Sequence, residues 1–149
     1  MSTLSFPWKK IFLVGVLFFV VAMVIHSIES VLTMRYYLLP EYFPVWSKLM
    51  MPNAGPPPAS FFVWSASFSL ITGLGLAWFY AWVREGLPKS YFARAWRFTW
   101  VMFGLSFILF TLPLFLLIHL PIGLFVAWLV SAFILFFISA LIFGKVLKT

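Results

Sequence analysis

Cysteine, aspartate and glutamine are absent from this chain of 149 residues. Without a thiol there is no disulfide, no thiolate zinc or iron–sulfur site and no cysteine nucleophile. The carboxylates are Glu29, Glu41 and Glu85, and the imidazoles are His26 and His119. Any acid–base or metal chemistry must be built from that small set. Charged residues make up 9% of the chain, where a soluble domain carries about a quarter. Internal repeats, heptads and low-complexity tracts are missing too, apart from one proline-rich run.

What is present is apolar. Hydrophobic residues account for 64% and aromatic residues for 22%, which is the composition of an integral membrane protein. The length leaves room for one domain, residues 1–149. Four uncharged runs, 11–28, 61–83, 98–118 and 120–144, each approach or exceed the roughly 20 helical residues that cross a hydrocarbon core. None alternates with the period of two that barrel strands show. The expected fold is therefore an all-α four-helix transmembrane bundle, with spans at approximately 9–38, 60–83, 95–118 and 121–144. Lys9 and Lys10 before the first run have the look of a signal peptide. That run is too long for one and continues into polar helix, so it reads as a retained span.

The basic residues set the expected orientation. Lys9, Lys10, Arg84, Lys89, Arg94, Arg97, Lys145 and Lys148 fall on one side, whereas Arg35 and Lys48 fall on the other. The positive-inside rule then puts both termini in the cytoplasm, in a plasma or inner membrane. In a chain this apolar, the net charge of +7 reports topology and anionic lipid, and nucleic acid is not an expected partner. Lys89, Arg94 and Arg97, interleaved with Tyr91, Trp96 and Trp100, suit lipid headgroup contact in a basic inner connection, 84–97. The outer loop, 40–59, carries Pro40, Pro44, Pro52, Pro56, Pro57 and Pro58 and is expected to be extended. A tight turn at His119–Pro121 makes the last two spans an antiparallel hairpin, and Pro113 should kink the third.

At 100° per residue, Gly15, Phe19, Ala22, His26, Glu29, Ser30, Thr33 and Tyr37 share one stripe of the first helix, and Leu17, Val20, Val24, Ile28 and Val31 lie opposite. Gly123, Ala127, Ser131 and Ser139 form a small-residue ridge on the fourth span, the usual basis of close helix approach in lipid. On the second span Ser65, Ser69 and Thr72 share a face, with Gly73 beside them.

One constellation has chemical potential. A carboxylate in a span is expensive and faces inward with a partner. His26, Glu29, Ser30, Thr33 and Tyr37 therefore form an expected ligand site near the outer end. If the turn brings His119 to the same depth, His26, Glu29 and His119 have the ligand types of a divalent metal site. His26 and His119 alone would suit haem. The leading expectation is non-enzymatic and free of cofactor: a multi-pass membrane protein that binds a partner subunit, a second copy or an apolar, lipid-like ligand. The alternatives are a metal- or haem-binding redox or enzymatic subunit, and a small transporter acting as an oligomer.

Overall fold

The computed structural model describes residues 7–53 and 56–147. Ala54, Gly55 and Lys148, which the loop and charge readings include, lie outside the described residues. Among the described residues all regular structure is helical. Four helices are long and apolar enough to cross a membrane: α1 (Trp8–Tyr37), α2 (Ala59–Val83), α3 (Tyr91–Leu117) and α4 (Ile122–Val146). Each begins just after a proline or serine with extended backbone. Pro7, Pro58, Ser90 and Pro121 all have positive ψ and stand outside the helix that follows. Proline suits that place because the first helical N–H groups lack partners in any case.

Two boundaries differ from expectation. α3 starts at Tyr91 rather than near residue 95, because Pro88 is the last helix breaker and nothing between Ser90 and Arg97 opposes a helix. Arg94 and Arg97 thus sit on the helix and not in a connection. In the loop, 40–45 is not extended: it forms a 3-10 turn, Pro40–Val45, with Pro40 at its start and Tyr42 donating its N–H to the Leu39 carbonyl at 3.0 Å. Proline's fixed φ serves a first helical position as well as it serves an extended chain. Where a kink at Pro113 is expected, α3 has a π-helical segment, Phe107–Thr111, ending two residues before that proline. It lets the helix continue past a residue that has no N–H to give.

Packing pairs α2 with α1, α1 with α4 and α4 with α3. In the most apolar window of each helix, 28% of α1 and of α4 is buried, against 6% for α2 and none for α3. The central pair is therefore α1 and α4. α2 approaches α1 where both backbones are bare: a Cβ on Gly73 would lie 2.6 Å from the Gly15 carbonyl, and one on Gly15 would lie 3.2 Å from the Leu74 Cα. The packing face of α2 is Gly73, Ala77, Tyr80 and Ala81. Of the expected hydroxyl face, Ser65 and Ser69 are half-buried on the ridge that leads into Gly73, and Thr72 is exposed. At the end that carries the termini, Tyr80 closes against Phe98 at 4.9 Å and against Phe143 at 5.6 Å, edge to face.

At the opposite end a second, smaller core forms. Leu120, Leu124 and Phe125 are buried there beneath Tyr36, Tyr37, Tyr42, Val45 and Trp46. The first part of the proline-rich loop covers that end. The rings of Tyr37 and Trp46 meet at 5.0 Å, tilted by 34°.

Candidate functional site: a groove between α1 and α4

α1 buries Ile11, Val14, Gly15, Phe18, Ala22, Glu29 and Thr33. The stripe is centred on Glu29, roughly 60° around the helix from His26 at 100° per residue. Small residues fix that rotation, because Gly15 and Ala22 must face the neighbouring helices for the backbones to approach. His26 and Ser30 are consequently exposed, a correction to the expected inward face; Val20, Val24, Ile28 and Val31 are exposed as expected, whereas Leu17 is half-buried.

Glu29 is 7% exposed and Thr33 4%. The Thr33 hydroxyl donates to the Glu29 carbonyl oxygen at 2.7 Å and to its carboxylate Oε1 at 2.8 Å. Glu29 and Thr33 are polar neighbours of Tyr37, one turn further on, and the Tyr37 hydroxyl accepts a hydrogen bond from Trp128 Nε1 of α4 at 3.0 Å. Residues 29, 33 and 37 thus form a polar column at i, i+4 spacing, which carries polarity from the interior of the packed helices to the loop-covered end.

Beside this column lies a groove of about 320 Å³ between α1 and α4. Ile25, Ile28, Leu32, Val130 and Ile134 form its aliphatic walls, and Glu29, Thr33 and Ser131 border it. Ser131 is buried, whereas Ile28, Leu32, Val130 and Ile134 are exposed. The groove is open along one side and its surface is almost wholly aliphatic; the three polar residues that border it are buried. Ser131 stands nine residues into α4, about 14 Å from its start and about 21 Å before Lys145 at 1.5 Å per residue. The small-residue ridge of α4 is what makes room: Ala127 and Ser131 line the groove, and Gly123 lies under the Tyr36 hydroxyl.

No known family, curated protein or solved structure matches this chain. The site is therefore read from its own chemistry.

His119 does not join the groove. It is exposed in the turn before α4, with its ring 6.0 Å from Tyr42 in the loop. His26 lies eleven residues before the end of α1, about 16 Å along the axis. His26 is exposed part-way along α1 and His119 is exposed in the turn before α4, each outside the groove lining. His26, Glu29 and His119 are not brought together either: among the described residues no group of three His, Cys, Asp or Glu side chains could hold a metal ion. Arg35 also stays outside, donating to the Tyr36 hydroxyl at 2.8 Å and lying over its ring.

At the other end a second, smaller pocket is lined by Arg84, Glu85, Leu87, Lys89, Arg94 and Leu147. Arg84 donates to the Leu147 carbonyl at 2.8 Å, and Arg94 to the carbonyls of Pro88 at 2.9 Å and Lys89 at 3.3 Å. Lys89 and Arg94 were expected at such a place. Arg97 is exposed and outside it. Arg84 was missed as a site residue, because a basic residue ending a span reads as topology alone.

Proposed function

We propose that this is a multi-pass membrane protein, four times spanning and with both termini cytoplasmic, that binds an apolar, lipid-like amphiphile in the outer-leaflet part of the α1–α4 groove. The observation that carries this reading is the groove itself, an aliphatic cleft open to the side and bordered by a buried carboxylate and two buried hydroxyl residues. Within a bilayer that opening faces acyl chains, so a ligand enters sideways without crossing water. Binding sites for small molecules combine apolar walls with a few placed polar groups, and span roughly 300–1,000 Å³. At about 320 Å³ the groove is at the low end of that range and suits one chain rather than a ring system. Glu29 and Thr33 would hold the ligand's polar head by hydrogen bonding, the interaction most costly to leave unmade in hydrocarbon. No catalytic role is assigned.

The test is retention of a radiolabelled long-chain alcohol, against the matching alkane, by the protein in lipid nanodiscs. The wild type should retain the alcohol in preference. Glu29→Gln should reduce that preference, and Ser131→Phe, which fills the groove, should abolish retention of both. Equal retention by all three proteins would refute the reading.

A further inference from the structure

We propose that the basic end holds the phosphate of an anionic phospholipid in the pocket formed by Arg84, Lys89 and Arg94. The proposal rests on the membrane reading above but is independent of the groove. The pocket, about 120 Å³, is sized for a headgroup and not for a chain. Three cations and the single acid Glu85 line it, so it presents two net positive charges to an anion.

The two guanidinium groups are already positioned. Carbonyls of Leu147, Pro88 and Lys89 take part of each fork, which fixes the planes while leaving donors unused, since arginine has five N–H groups. Arg84 Nε is buried and has no partner among the described residues. That nitrogen is closed to a ligand, so a phosphate oxygen would take the remaining guanidinium N–H groups, in charge-assisted bonds. Lys89, exposed at the pocket's edge, adds a mobile ammonium.

The surroundings select a lipid over a soluble phosphate. Leu87 and Leu147 border the pocket. Trp82, Trp96 and Trp100 are exposed on the neighbouring helix turns, the position tryptophan takes at a membrane–water boundary. A lipid phosphate stands at that level with its chains alongside the helices.

The experiment is native mass spectrometry of the full chain in detergent, with phosphatidylglycerol, phosphatidylcholine or inorganic phosphate added. Phosphatidylglycerol should be retained in preference to phosphatidylcholine. Lys89→Gln should lower its retention about fivefold, the weight of one basic residue at a membrane surface. Arg97→Gln should leave retention unchanged. Lys89 contributes only its backbone carbonyl to the connection's hydrogen bonds, so Lys89→Gln keeps the fold, and its thermal unfolding without lipid should match the wild type. Equal retention of the two lipids overturns the proposal. So does an equal loss in Arg97→Gln, which would mean diffuse attraction, or full displacement of the lipid by millimolar inorganic phosphate, which would mean a soluble ligand.

Discussion

Glu29 is the buried carboxylate beside the groove, and Thr33 is its hydrogen-bond partner. The single hydroxyl proton of Thr33 is shared between the Glu29 backbone carbonyl and its carboxylate oxygen. Hydrogen bonds between side chains in membrane helices contribute modestly, so Thr33→Val should lower stability by about 1 kcal/mol. Thr33→Ser should restore most of it. The measure is unfolding in mixed micelles. Because the two residues share one interaction, Thr33→Val should cost less in a Glu29→Gln background than alone. Additive losses would mean that the pair is not coupled. The i, i+4 spacing of residues 29, 33 and 37 was legible in the sequence, as was the inward face of the carboxylate. The outward positions of His26 and Ser30 were not. A wheel built on polar residues tilts toward them, whereas the rotation of α1 is set by the small residues that its neighbours touch. Arg84 was illegible as a site residue for a related reason: its partner is a backbone carbonyl 63 positions away, and no spacing rule reaches that far.

Among the elements, α1 and α2 are held by bare backbone. Gly73→Ala places a methyl against the Gly15 carbonyl and the Phe18 ring, and an overpacked contact of this kind costs about 1–3 kcal/mol. Gly75 has nothing within 4 Å of an added Cβ, so Gly75→Ala should be neutral or slightly stabilising through helix propensity. The pair makes a controlled comparison on one helix. If both substitutions behave alike in thermal unfolding, the α1–α2 approach is not as close as described. The helices themselves were legible because their apolar runs are long and bounded by proline or basic residues. Which faces meet was less so. Of the hydroxyl row of α2, Ser65 and Ser69 are half-buried on the i, i+4 ridge that Gly73, Ala77 and Ala81 continue into the packed contact, whereas Thr72 is exposed.

For the whole molecule, the order of packing is α2, α1, α4, α3, and the two ends are chemically different. One is basic and closed by Tyr80, Phe98 and Phe143. The other is covered by the aromatic turn of the loop. The absence of cysteine makes the proposed orientation simple to test. A single cysteine introduced as Lys48→Cys should react with an impermeant maleimide added outside intact cells, and Lys89→Cys should react only after permeabilisation. The reverse pattern would invert the topology and move the groove to the inner leaflet. The groove itself is tested most directly by photolabelling. A long-chain alcohol bearing a diazirine on its chain, incorporated into nanodiscs with the protein and irradiated, should modify the residues around Ile28, Leu32, Val130 and Ile134, as mapped by peptide mass spectrometry. Ser131→Phe should remove that labelling while leaving the scattered background on α2 and α3 intact. Labelling spread evenly over all four helices, or unchanged in Ser131→Phe, would contradict the existence of a binding groove between α1 and α4.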